Sequence, residues 1–115
     1  MSERLIYHVC KADEWEVARR AGRYPGSSQD RADGFIHFSG ASQVVASVAK
    51  HRAGQDNLII LEVDSPELGP ALRWESSRGG ALFPHLYADL PLTAVRRFAA
   101  LPLGSDGRHV FPWGL

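Results

Sequence analysis

The stretch Asn57-Leu58-Ile59-Ile60-Leu61-Glu62-Val63 constrains this chain more than any other. It is the most hydrophobic run, short and rich in branched residues. Such a run predicts a strand buried on both faces, at the centre of a sheet. Asp64-Ser65-Pro66 ends it, because proline has no N–H to give to a ladder. The rest of the chain must flank and cover that strand.

Leu5-Ile6-Tyr7-His8-Val9 reads as a first strand. Ala12 to Ala21 reads as a helix, with Trp15, Ala18 and Ala21 at helical spacing, Arg19 and Arg20 in its last turn, and Gly22 as a left-handed stop. The polar segment from Gly22 to Asp33 reads as a long loop, of the kind that often carries function. Gly34-Phe35-Ile36-His37-Phe38-Ser39 reads as a second strand. Ala41 to His51 reads as a second helix, capped by Ser39 or Gly40. Ala71 to Glu75, Phe83 to Tyr87 and Val95 to Leu101 read as later strands, with a glycine-rich loop at Ser76 to Ala81. Arg108 to Phe111 is a candidate last strand after the turn Gly104 to Gly107. Strand, helix, strand, helix and then several strands predict an α+β domain with a mixed or antiparallel sheet.

The 115 residues fit one domain, 1–115. A composition 44% hydrophobic and 23% charged supports a packed core. The formal net charge is zero, which argues against DNA or an acidic membrane held mainly by charge. Cys10 is the only cysteine, so no internal disulfide forms, and it reads as a small buried apolar residue. Met1-Ser2-Glu3-Arg4 leads straight into a strand and lacks a signal-peptide pattern, and no apolar run is long enough to span a bilayer. A cytoplasmic protein is the expectation.

Three histidines sit in apolar strand contexts: His8, His37 and His85. A half-buried imidazole needs partners for its ring nitrogens and, near neutral pH, can serve as acid, base or ligand contact. Either each packs in the core on a backbone carbonyl, or at least two share a polar pocket. No His-Glu-x-x-His motif is present, so no metal site is assigned. Neither Gly-x-Ser-x-Gly nor a glycine-rich phosphate cradle appears, and Ser39 reads first as a helix cap. In Arg73-Trp74-Glu75-Ser76-Ser77-Arg78, a strand would put Arg73 and Glu75 on one face and Trp74 in the core. Arg73 or Arg78 could hold a phosphate or carboxylate, and Glu75 could orient a ribose hydroxyl or stabilise a developing cation. A surface ion pair is the plainer alternative. In Phe83-Pro84-His85-Leu86-Tyr87, Phe83, His85 and Tyr87 alternate onto one face, where a flat ring could stack.

Taken in order, Ile6-Tyr7-His8, Trp15, Gly34 to Ser39, Leu72-Arg73-Trp74-Glu75 and Phe83 to Tyr87 resemble the bacterial family catalogued as domain of unknown function 952, over nearly the whole chain. The resemblance implies a split two-sheet fold similar to the ADP-ribosyltransferase superfamily, whose members bind NAD in a cleft between two small sheets. It also implies that Tyr7-His8 contacts the nucleotide and that Glu75 stands where a late glutamate orients the nicotinamide ribose. Ile36-His37-Phe38-Ser39 resembles a stretch of the RNA 2′-phosphotransferase branch. The chain departs from that superfamily at Val9-Cys10, where Gly-Thr is usual, and it has no Ser-Thr-Ser or Glu-x-Glu motif.

Two classes of function follow. In the first, NAD, ADP-ribose or a related nucleotide is bound and transferred or hydrolysed, with Glu75 and His37 as catalytic candidates. Tyr7, His8, Ser39, Arg73, Phe83, His85 and Tyr87 are then the ligand-binding candidates. In the second, the cleft binds a small ligand without chemistry, or the histidines are core and the domain is structural or partner-binding.

Overall fold

A computed structural model describes residues 3–115 of the chain; the side chain of Arg78 lies outside that description. Nine strands and three α-helices follow in the order β1 (Leu5–Lys11), α1 (Ala12–Ala21), β2 (Arg23–Tyr24), α2 (Ser28–Asp33), β3 (Ile36–His37), β4 (Ser39–Gly40), α3 (Val44–His51), β5 (Leu58–Asp64), β6 (Leu72–Ser76), β7 (Leu82–Leu86), β8 (Leu90–Pro91) and β9 (Val95–Leu101). Short 3-10 turns precede β6, β7 and β9. Every strand pairing is antiparallel.

The strands form three sheets: β4-β1-β5-β9, β3-β7-β6 and the pair β2-β8. As its composition dictates, β5 is interior in the largest sheet, with Ile60, Leu61 and Val63 fully buried. Burial of side chains this size contributes about 2 kcal/mol each. Strand alternation then divides β1 between two cores. Ile6 and Cys10 join Trp15, Tyr24, Ile36, Phe38, Leu61 and Leu86 in the core that holds the two larger sheets together. Tyr7 joins Val44, Val48, Leu58, Ile60 and Leu101 on the opposite face, over which the C-terminal residues Phe111, Trp113 and Leu115 pack.

Helix α1 has the predicted bounds. The Glu14 carboxylate accepts the N–H of Lys11 at 3.1 Å, and Gly22 closes the helix at φ 85°. The segment 22–33, expected to be a loop, instead contains β2 and α2, so three helices precede β5 rather than two. Ser27 caps α2 by accepting from Asp30 N, and the Asp30 carboxylate returns to Ser27 N at 2.8 Å. That reciprocal Ser-x-x-Asp pattern explains why a six-residue segment with only Ala32 apolar is helical here.

The expected second strand is two strands in two sheets. Ile36 and His37 pair with β7, Ser39 and Gly40 pair with β1, and Phe38 alone lies between. Helix α3 begins at Val44, after Gln43, so neither Ser39 nor Gly40 caps it: both are held in β4. The candidate last strand reduces to a single bridge between Leu103 and His109. No helix among the described residues is long and apolar enough to cross a membrane.

Candidate functional site

The sheet β3-β7-β6 has one apolar and one polar face, as alternation requires. Ile36, Leu86, Leu72 and Trp74 face the core. On the other face His37 is registered against His85, and His85 against Arg73, so these residues form one row across three strands. Glu75 follows two positions after Arg73 and is registered against Phe83.

Glu75 organises one end of this face. Its Oε1 accepts from His85 Nδ1 at 2.8 Å and from the Tyr87 hydroxyl at 2.7 Å. Those bonds, Tyr87's first and His85's second, hold the Glu75 carboxyl below its usual range, and the same carboxylate pushes the Tyr87 phenol up. The Arg73 guanidinium lies over the Tyr87 ring at 5.1 Å. Since Nδ1 must donate to the carboxylate, Nε2 of a neutral His85 carries the lone pair. Nothing among the described residues bonds that Nε2. It is also not one of the buried unpartnered atoms, which are the indole nitrogens of Trp15 and Trp74. The His85 side chain as a whole is 10% exposed.

Asp30 organises the other end from beneath. Its Oδ1 accepts from His37 Nδ1 at 2.6 Å and from His37 N at 3.1 Å, while Oδ2 accepts from Ser27 N at 2.8 Å. His37 Nε2 lies 3.0 Å from Asp33 Oδ2. With both ring nitrogens on carboxylates, the imidazolium is favoured, and the bond to Asp30 raises the His37 pKa. Burial raises the Asp30 carboxyl most, but the hydrogen bonds from His37 and Ser27 outweigh it and bring the value to about 2. Gly26 makes room for this carboxylate: at φ 99°, a Cβ there would lie 2.8 Å from Asp30 Cβ.

His8 lies deeper. Nδ1 donates to the His37 carbonyl, which fixes Nε2 as an acceptor, and the Tyr24 hydroxyl donates to it at 2.8 Å. Burial lowers its pKa, against the opposing pull of the Asp30 carboxylate, whose Oδ2 lies 3.5 Å from Nε2. Its ring is 5.4 Å from that of Phe38.

Hence the structure brings the three histidines into one connected array, with only His37 and His85 on the open face, ring centroids 5.7 Å apart. His8 is 4% exposed with both nitrogens engaged, so it cannot reach a ligand on that face. Tyr7 cannot either, because adjacent strand residues point to opposite faces. Its hydroxyl donates to the buried Glu62 carboxylate at Oε2, 2.9 Å away, while the half-exposed Arg97 donates through Nε to Oε1 at 2.9 Å and Trp113 covers the guanidinium at 4.5 Å. Ser39, registered opposite Tyr7 and buried, lies on that same far face. The ring stacked on His85 is that of Phe35, at 4.1 Å and 27°, a residue outside the Phe83, His85 and Tyr87 face proposed from sequence. Cys10 is buried, its thiol pushed up to about 12 by desolvation.

Sequence reasoning missed Asp30, Asp33, Phe35 and Tyr24. The signal for Asp30 was Ser27-Ser28-Gln29-Asp30, a capping box with aspartate in the acidic place. Nothing local marked Tyr24 or Phe35. Among the described residues no group of three or more His, Cys, Asp or Glu is arranged to hold a metal ion.

Fold and site together define a small antiparallel α+β protein carrying a carboxylate–histidine array on an open sheet face. Residues 9–98 match the family described as protein of unknown function (DUF952), and the chain belongs to that family. Its fold is similar to the crystal structure of protein CC0527 from Caulobacter crescentus, at 47% identity and a TM-score of 0.88, over 92% of this chain and 93% of that one. The solution structure of CC0527 gives 47% identity and a TM-score of 0.82, over 92% and 91% of the two chains. No curated protein matches the chain.

Proposed function

We propose that the polar face of β3-β7-β6 binds a nucleotide-like small molecule, with NAD and ADP-ribose the first ligands to try, in an ADP-ribosylation-like arrangement of the two larger sheets. One observation carries this reading: Glu75 Oε1 is saturated by His85 and Tyr87, so its position is fixed while Oε2 has no partner among the described residues. An oriented carboxylate oxygen of this kind suits a sugar hydroxyl. Arg73 supplies donors for a phosphate, and the exposed Tyr87 ring, with Phe35 and Phe83 half-buried nearby, supplies a stacking wall. His37 forms the far edge.

The test is a thermal-shift titration with NAD, ADP-ribose, nucleotides and sugar phosphates. A ligand at about 100 times its dissociation constant adds about 2.7 kcal/mol to the native state. The expected result is a rise in Tm with NAD or ADP-ribose that Glu75→Gln diminishes. No shift with any of these compounds would end the reading.

A binding module without chemistry is the second reading. The engagement of Tyr7 with Glu62 and of His8 with Tyr24 favours it, since both leave the open face with fewer reactive groups. Saturable binding of NAD without product would support it.

A further inference from the structure

We propose that His85 is the proton acceptor of this face and that Glu75 is the residue that positions it, so that Nε2 takes a proton from a water attacking the anomeric carbon of a bound glycoside whose leaving group departs uncharged. The inference rests on the nucleotide-binding reading above and names the chemistry it would carry.

Three geometric facts point this way. Glu75 Oε1 fixes the His85 tautomer through Nδ1, and a carboxylate behind an imidazole both orients the ring and stabilises the cation formed when Nε2 is protonated. Tyr87 donates to the same oxygen and Phe35 stacks on the His85 ring, so the carboxylate and the imidazole are each held from two sides. Nε2 remains open, whereas the nitrogens of His37 are occupied by Asp30 and Asp33 and those of His8 by His37 O and Tyr24. Of the three strand histidines, His85 alone has a ring nitrogen without a partner among the described residues.

Charge selects the kind of bond broken. Groups facing His85 are Glu75 and Arg73 from β6, His37 from β3 and the Tyr87 hydroxyl, and Asp30 and Asp33 neutralise His37 from α2. Among the described residues, three carboxylates, one of them buried beneath the sheet, stand against one imidazolium and one guanidinium around His85. That balance suits positive charge developing at a sugar carbon better than negative charge at phosphorus. In the step, the water oxygen bonds to the anomeric carbon and the water proton goes to Nε2. The carbon–nitrogen bond breaks with its electron pair on the departing pyridine, which leaves neutral from a pyridinium and needs no acid. NAD is a substrate of that class.

The test has two arms. In the first, ¹⁵N NMR of the His85 ring in the full chain should show the Nδ1–H tautomer, and Glu75→Gln should shift it toward Nε2–H. An Nε2–H tautomer in the unmodified protein would overturn the proposal whether or not any nucleotide binds. In the second, nicotinamide release from NAD is followed against pH. His85→Asn should lower kcat about 100-fold with KM nearly unchanged and abolish the acidic limb, on which protonation of the imidazole removes the proton acceptor. Glu75→Asp should retain more of the rate than Glu75→Gln. Full activity with an unaltered pH profile in His85→Asn would overturn the proposal. NAD that binds without turnover would also overturn it while leaving the nucleotide-binding reading intact. Absence of NAD binding would instead defeat that reading and this substrate with it.

Discussion

Asp30 Oδ1 holds both the ring and the backbone of His37, at 2.6 Å from Nδ1 and 3.1 Å from N. One carboxylate oxygen thus sets both the orientation of a side chain on the open face and the path of the strand that carries it. This relationship has a pH signature. The Asp30 value falls from 3.8 to about 2, so its contribution is present above 3.8 and is lost as pH falls towards 2. His37 is raised above 6.5, so the same interaction is fully present below 6.5 and is lost as pH rises through the folded value. These are two views of one bond and do not add. Urea unfolding followed against pH should give greatest stability between about 4 and 6.5, with a contribution from Asp30 of about 2 kcal/mol. In Asp30→Asn both flanks of that optimum should flatten.

Tyr24→Phe removes the donor to His8 Nε2 while keeping the ring. The imidazole is buried and fixed by the His37 carbonyl, so its acceptor is left without a partner. The expected loss is about 1–3 kcal/mol in chemical denaturation. Replacing His8 as well, with leucine, should recover part of it, because an unpaired buried polar atom costs more than its absence.

Tyr87→Phe acts on the open face and not on the core. It removes the hydrogen bond that does most to hold the Glu75 carboxyl down. The Glu75 carboxyl should then titrate closer to 4.5, and a ¹³C-detected titration of its side chain measures the change directly. Because Tyr87 is exposed, global stability should be nearly unaltered.

Arg97→Ala tests the far face. Glu62 is 1% exposed and keeps its charge because Arg97 and Tyr7 outweigh the upward pull of burial. Removing the guanidinium leaves a buried carboxylate with Tyr7, and the more distant Arg96, as partners. A loss of about 3 kcal/mol is expected. Glu62→Gln in the same background should offset part of it, and equilibrium unfolding of the two variants decides.

The parts legible from sequence were those in which local pattern and tertiary environment agree. β5 announces itself by composition, α1 by spacing and Gly22, and the shared face of Arg73 and Glu75 by simple alternation. What could not be read were relationships between distant segments. Tyr7 and His8 look like a unit along the chain, but a strand sends them to opposite cores. Gly34 to Ser39 looks like one strand because its pattern is continuous, and nothing local says that Phe38 separates two sheets. Phe35 reads as strand interior, yet in space it covers His85. The 22–33 segment was misread for a different reason: its helix is held by a reciprocal cap and not by an apolar stripe, so hydrophobic periodicity gives no trace of it.

The single residue between β3 and β4 has a consequence for how this protein can vary. The two larger sheets are tied at Phe38, and the His8 bond to the His37 carbonyl closes the joint from the other side. Deleting or adding one residue between Ile36 and Gly40 would invert which side chains face the core in one sheet or the other, exchanging His37 for a core residue. Length changes are therefore excluded here, whereas the exposed turn at Ser105–Gly107 can absorb them. The joint acts as the molecule's ruler: it sets the distance at which the open face stands from the core, and the chain cannot be re-spaced there without losing both.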